Sequence, residues 1–531
     1  MAPAMGSRGA PSDAALAGVP RRAFELRADG AAWREALAGT ELRAEPERRS
    51  SQVLIDSFDG RLADAGLQLA RLSGERGVVC RLAETGSPEA SAQSFELERE
   101  PVFVWDLPFE RARMLAGVLE ARALRRLGEH ALDASCWAVL DDQRKIVARL
   151  SEELHELRPR AAREPVRIRR LVLQGVRGYD AELARLAELL GSVPGLTPVS
   201  EAHFDPWRQL RPPPRATARW PLLAPDVGAF EALARIARAQ LAILRANGAG
   251  LLANEDAEFL HDARVALRRL RSLVSQLKGV LAPHAQQQLA DELRWLASCT
   301  GAARDLDTLL FELRLTEPEM RTELEPVVAA LAAERERIQA LLRADFRCER
   351  AAALRARLRA VFSGKGDPAC AGPKAADPFT VLLARRLRRR FRQVAALAGR
   401  LTQQSPSEEL HGLRISCKKL RYLLECCRGL VPKSELATAF QHLKGLQSVL
   451  GALQDSAVQA QLSRRLALEL AGAAGARAHL ALGQFLERLA QNGRAARARQ
   501  AELTAEFLAP DSRAGFEAIL RALERRRDDP R

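Results

Sequence analysis

Residues able to hold an anion recur in this sequence at a fixed spacing. The stretch HDARVALRRLR, residues 261–271, returns as HGLRISCKKLR, residues 411–421. His261 matches His411, Arg264 matches Arg414, Arg268 matches Lys418, Arg269 matches Lys419 and Arg271 matches Arg421, each at an offset of 150 positions. On a helix turning about 100° per residue, His261, Arg264, Arg268 and Arg271 form one stripe, with Arg269 at its edge. Like charges one turn apart repel, and almost no acid lies within the stripe to relieve them. A bound oxyanion relieves them, Arg through paired N–H donors and Lys as a point charge. A solvated basic face is the competing reading. The scarcity of acids and the repetition of the pattern favour an anion site.

The same offset continues downstream. Arg294 matches Lys444, Gly301 matches Gly451, and Asp305 matches Asp455, so the second half of the chain is an internal duplication. Arg294, Arg304 and Lys444 fall on the next long helix of each copy, where they widen the basic track. Gly301 and Gly451 share its polar face, as close helix crossings or as places of close phosphate approach. The run RRLRRRFR, 385–392, extends the same basic surface. No nucleophile or metal partner accompanies His261 or His411, so no catalytic residue is assigned. They read as anion ligands or as residues orienting nearby arginines, with Asp305 and Asp455 as partners. The other histidines share no spacing and read as structural or surface residues.

Each stripe needs a helix behind it. Leu267, Leu270 and Val274, and in the second copy Cys417, Leu420 and Leu424, lie opposite the cations and form a core face. Asn254 before Glu255 and Asp256 marks one helix start. Ser405-Pro406-Ser407-Glu408 reads as a capping box with proline in the first turn.

Composition agrees with a helical, polyanion-binding protein. The chain has 531 residues, a net charge of +15, a pI near 10.1 and only 5% aromatics. Few aromatics disfavour base stacking, so nucleic acid is the weaker partner. The eight cysteines include no C-x-x-C pair, which argues against a zinc site and for a reducing compartment. No apolar run reaches about 18 residues, so no membrane span is expected and the cytoplasm is the expected location.

In chain order, residues 1–19 read as a disordered tail and 20–204 as an α+β domain. Strands are expected at 23–27, 52–58, 67–72, 77–82, 102–105, 137–140, 146–150 and 166–174, and helices at 111–127 and 181–190. Residues 205–225 form a Pro-rich linker whose PPP run is stiff and whose Trp207 and Trp220 dock on a neighbouring surface. The helical domain spans 226–523: repeat one 226–361, a linker 362–378, repeat two 379–510 and a C-terminal helix at 513–527.

The doubled H-x-x-R-x-x-x-[RK]-[RK]-L-R motif, followed each time by [RK]-x-x-L-x-x-x-x-G-x-x-[RQ]-D, resembles the CHAD domain over roughly residues 225–523. That resemblance implies an all-α fold of two duplicated four-helix bundles that binds inorganic polyphosphate through a basic surface. The implied ligands are His261, Arg264, Arg268, Arg269, Arg271, Arg294, Arg304, His411, Arg414, Lys418, Lys419, Arg421 and Lys444. This chain departs from the pattern mildly, with Cys417 inside the second motif and Gln454 in the place of Arg304.

Residues 53–72, VLIDSFDGRLADAGLQLARL, resemble a segment of the CYTH triphosphate-tunnel fold, with Asp56, Asp59, Leu62, Gly66 and Arg71 as the matching positions. Enzymes of that family open on a Glu-x-Glu-x-Lys strand whose carboxylates hold divalent metal. Here only Glu25 and Arg27 stand there, and the strand at 167–175 has no carboxylate. The implied fold is multidomain: a degenerate, antiparallel CYTH-like α+β domain, then the helical domain. The implied activity is binding of polyphosphate without turnover, on polyphosphate granules and beside other granule-associated proteins, with no metal or cofactor. A metal-dependent triphosphatase and an RNA- or DNA-binding module are the alternatives.

Overall fold

The computed structural model describes residues 20–27, 32–72, 78–84, 92–160, 164–199, 210, 220–364, 367–402, 404–469 and 475–528. The expected tail, the PPP run and Trp207 lie outside these. The chain divides into two compact units, Met1–Arg215 and Ala216–Arg531. Among the described residues no helix is long and apolar enough to cross a membrane.

The first unit is a nine-stranded antiparallel sheet with short helices, compatible with a CYTH-like fold. Its elements are β1 (Arg21–Leu26), α1 (Ala32–Ala36), β2 (Glu41–Ser57), α2 (Arg61–Asp64), β3 (Leu67–Leu72), β4 (Val78–Glu84), β5 (Gln93–Leu97), α3 (Phe109–Leu119), β6 (Leu124–Leu140), β7 (Ile146–Pro159), β8 (Val166–Gly175), α4 (Asp180–Gly191) and β9 (Leu196–Val199). The strand order is β5-β4-β3-β2-β6-β7-β8-β1-β9. Leu183, Leu186 and Leu190 recur at helical spacing on α4 and pack on Phe24, Leu150, Leu171 and Leu173.

Two expectations fail here for local reasons. The strand expected at 102–105 is instead a turn of 3-10 helix at Val104–Asp106, because the Asp106 carboxylate accepts from the amides of Val102 and Phe103, both at 2.9 Å. The helix expected over 111–127 stops at Leu119, where Glu120 takes φ 50°, and residues from Leu124 join β6.

The second unit is all helix: α5 (Ala229–Ala253), α6 (Ala257–Gln276), α7 (Pro283–Ser298), α8 (Gly301–Arg314), α9 (Pro318–Glu323), α10 (Glu325–Arg347), α11 (Glu349–Val361), α12 (Phe379–Ala398), α13 (Ser407–Glu425), α14 (Lys433–Glu469), α15 (Gly475–Leu508) and α16 (Pro510–Asp528). The duplication is visible in the helix starts. Residues 229, 257, 283 and 325 open α5, α6, α7 and α10, and residues 379, 407, 433 and 475 open α12, α13, α14 and α15, each at the offset of the motif. One apolar cluster takes in Leu267, Leu270 and Val274 from α6 together with Cys417, Leu420 and Leu424 from α13. The repeats therefore share a core. Trp220, expected to dock on a neighbouring surface, is buried in this same cluster.

The starts of the stripe helices differ from expectation. Asp256 caps α6, its carboxylate accepting from the amides of Glu258 at 2.9 Å and Phe259 at 3.2 Å. Asn254 instead closes α5 in the left-handed region at φ 57°. Helix α13 begins after Pro406 without a side-chain cap, and Ser405 Oγ accepts from the Thr402 amide.

An ion pair ties the repeats beside the shared core. Arg269 of α6 donates through Nε and Nη2 to both carboxylate oxygens of Glu425 on α13, at 2.8 and 3.2 Å. Arg421 donates to the same carboxylate at 3.1 Å, and Glu425 is 1% exposed. Glu425→Gln leaves two cations against a neutral amide. It should lower unfolding free energy by about 3 kcal/mol, measured by urea titration against Glu409→Gln at the exposed start of α13.

Candidate anion-binding site

Core burial sets the rotation of α6. Ala263, Ala266, Leu267, Leu270 and Val274 are all at most 1% exposed. That rotation leaves Arg264, Arg268 and Arg271 half-buried on the rim, with His261 at the head of the row. Leu413, Cys417 and Leu420 orient α13 in the same way and put Arg414, Lys418 and Lys419 on its rim. Because α6 and α13 pack against each other, the two rows meet.

Their mutual fields record the meeting. The Lys418 ammonium is pushed down to about 8, first by burial, then by Arg414 of its own row and by Arg268 and Arg264 of the other repeat, with Asp455 opposing. Arg264 is lowered to about 10 by burial and by Arg268, Arg304 and Arg271, with Asp305 opposing. Burial and then Arg294 lower Arg271, and burial, Arg390 and Arg271 lower Lys419. Among the described residues, Arg268, Arg271, Lys418 and Lys419 form no ion pair with a carboxylate. The Arg268 Nε and Arg414 Nε atoms are buried without hydrogen-bond partners. Arg264 is steadied from behind, donating through Nη1 to the hydroxyl of Thr300 at the α7–α8 elbow.

The remaining sequence candidates are placed differently. Arg269 and Arg421 face Glu425. Arg304 lies 3.4 Å from the buried carboxylate of Glu258, and Arg294 pairs with Asp291 at 2.6 Å. Lys444 is exposed on α14. His411 shares a 2.8 Å hydrogen bond through Nδ1 with Gln454, whereas Asp455, its expected partner, takes Arg414 at 3.2 Å. An added Cβ at Gly301 or Gly451 meets nothing within 4 Å, so neither glycine marks a tight helix crossing.

The acids of the first unit that matched a tunnel motif have internal partners. The Asp56 carboxylate accepts from the amides of Ser57, Leu62 and Ala63 and so holds the start of α2. Asp59 pairs with buried Arg122 at 3.0 Å. Arg71, Arg81, Arg167 and Arg169 reach Glu100, Gln52, Glu156 and Glu152. Glu25 is exposed on β1, and among the described residues no group of three potential ligands could hold a metal ion.

One buried polar constellation was not legible in the sequence. His130 Nε2 lies 3.0 Å from His155 Nδ1, and His155 Nε2 lies 3.1 Å from Glu153. Burial raises Glu153, but the hydrogen bond and charge of His155, with Arg170 and Arg48, outweigh it and hold the carboxyl below its ordinary range. Burial, then His155, push His130 down to about 4. The only linear signal was the alternation Ser151, Glu153, His155 along one face of β7.

The CHAD domain family model matches residues 235–464. The chain is similar to the crystal structure of the CHAD domain from the plant Ricinus communis at 24% identity, over 58% of this chain and 95% of that one, with a TM-score of 0.43. It is similar to PptA from Streptomyces chartreusis at 18% identity, over 52% of this chain and 99% of that one, with a TM-score of 0.39. No curated protein matches the chain.

Crowding of like charge at the rim has a measurable consequence. Lys418→Gln or Arg268→Gln should raise the melting temperature of the ligand-free protein by about 2 °C at pH 7, because each removes a half-buried, unpaired cation. Lys418 sits near 8 when folded against its ordinary 10.5, so between those values the unfolded chain binds more protons. The Lys418 penalty is therefore full below about pH 8 and is relieved as pH rises towards 10.5. Melting curves across that range should show a stabilising slope in the parent that shrinks in Lys418→Gln.

Proposed function

With residues 235–464 a CHAD domain, we propose that this protein binds inorganic polyphosphate, without turning it over, in the cluster where the two repeated helices meet. The observation that carries the reading is the division of the cations. Arg269, Arg421 and Arg304 have buried acids beside them, whereas Arg268 and Lys418 have none, and Arg264 and Arg414 crowd around them. A structural cation is normally neutralised. Arg268 and Lys418, without an ion pair at a half-buried rim and crowded by Arg264 and by Arg414, which reaches only the exposed Asp455, suit an anion that arrives from outside.

Polyphosphate meets the requirement in shape and charge. It repeats one oxyanion along a chain, so each guanidinium fork can take two oxygens and each ammonium one. Partial burial strengthens these contacts relative to open water. His411, tied to Gln454, serves as an orienting residue within this array, and the reading assigns no catalytic group, metal or cofactor. Association with polyphosphate granules and with other proteins on them belongs to the same proposal.

Long-chain polyphosphate titrated into the full chain at two salt concentrations should bind in a salt-sensitive manner. The variant Arg264→Ala, Arg268→Ala, Arg414→Ala, Lys418→Ala should lose roughly two orders of magnitude in affinity while keeping its helical circular dichroism. Parent affinity should also fall as pH rises through about 8, where Lys418 sheds its proton. Equal binding by the folded variant overturns the site. RNA competing as well as polyphosphate overturns the ligand, and release of orthophosphate during the titration overturns binding without turnover.

A further inference from the structure

The two copies of the motif are similar, but their surroundings are not. Helix α12 carries Arg386, Arg389 and Arg390, and the offset of the duplication places Ile236, Ala239 and Gln240 at the corresponding positions of α5. Ile236 and Gln240 are fully buried, at 0% exposure. Of the three arginines on α5, Arg235 pairs with Glu231, Arg238 donates to the carbonyl of Phe362, and Arg245 is exposed further along the helix, beyond the positions that match Arg386, Arg389 and Arg390. At these three matched positions only the second copy carries cations, and there it extends the basic rim.

The extension is built onto the central cluster rather than merely near it. Arg390 Nε donates to Gln276 Oε1 at 3.1 Å. Gln276, 6% exposed, donates through Nε2 to Ser272 Oγ at 2.8 Å and to the Lys419 carbonyl at 3.1 Å. A single buried amide thus joins α6, α12 and α13. One turn back on α12, Arg386 donates to the Lys278 carbonyl at 2.9 Å, just beyond the end of α6. The charges follow this joint as a succession of neighbours. Lys419 feels Arg390 and Arg271, Arg390 feels Arg389, and Arg386 feels Arg389, each after its own burial. Among the described residues, Arg271, Lys419, Arg386, Arg389 and Arg390 form no ion pair with a carboxylate.

We propose that the anion track is one-sided: it leaves the central cluster along α6, passes Arg271 and Lys419, and continues onto α12, where Arg390, Arg389 and Arg386 hold the trailing part of a long polyphosphate. This rests on the function proposed above and adds a preference for length and a direction. From Arg264 to Gln276 the helix rises about 18 Å, a span that a triphosphate seated in the central cluster cannot cover. Chains long enough to reach α12 gain contacts, and short ones do not.

The test compares long-chain polyphosphate with tripolyphosphate on the full chain. The variants are Arg386→Gln, Arg389→Gln, Arg390→Gln combined; Arg389→Glu alone, at an exposed position that leaves the Gln276 joint intact; and Arg235→Gln, Arg238→Gln on α5. The α12 variants should weaken long-chain binding roughly tenfold and flatten its salt dependence, with tripolyphosphate binding unchanged and the α5 variant near the parent. An equal loss for both ligands, no loss for the long chain, or an equal loss from the α5 variant overturns the one-sided track. If the parent binds neither ligand, the underlying function fails instead, and the outcomes are told apart by the parent alone.

Discussion

Helices α6 and α13 pack with two rows of cations turned towards one another, and a single buried carboxylate, Glu425, lies within that contact to neutralise any of them. The organisation of the helical unit follows from this imbalance. Repulsion between Arg264, Arg268, Arg414 and Lys418 tends to part the repeats. Opposing it is the shared apolar layer of Leu267, Leu270, Val274, Cys417, Leu420 and Leu424, whose burial is worth about 1.5–3 kcal/mol for each large side chain. The Arg269–Glu425 pair bridges α6 and α13 beside that layer. Arg269 is thereby committed to structure, although it holds the same motif position as its matched Lys419.

Acid placement sorts cations into two classes across the helical unit. Glu258, Asp307 and Glu425 are buried and hold Arg304, Arg335 and Arg269. Their counterparts at the duplication offset are Glu408, which is exposed, Ala457, and the stretch at residue 275, a serine. The duplication is thus faithful in backbone and in motif, but the charge compensation around it has diverged. A symmetric scaffold carries an asymmetric field.

The sheet unit shows the opposite balance. Its buried acids, Asp56, Asp59 and Glu153, are each enclosed by donors from their own unit: three backbone amides, the Arg122 guanidinium, and the His155, Ser151 and Arg170 groups. A carboxylate so satisfied stabilises the fold and has little left to offer an external metal or phosphate. The two units consequently bear very different potentials, one internally balanced and one with surplus positive charge.

The sequence by itself determined the duplication, the helical half, the apolar faces and the rows of cations, because a 3.6-residue period and a repeat offset are written directly in residue order. It also placed α4, whose leucines recur at helical spacing. Several features belonged to tertiary structure alone. Which arginine meets an acid depends on residues far apart in sequence, as Arg269 with Glu425 and Arg304 with Glu258. The His130–His155–Glu153 contact needs the β6–β7 pairing register, which no local pattern encodes. The cap of α6 passed from Asn254 to Asp256 because the turn after α5 required the left-handed residue first. Periodicity fixes faces, and only packing decides which charges those faces bring together.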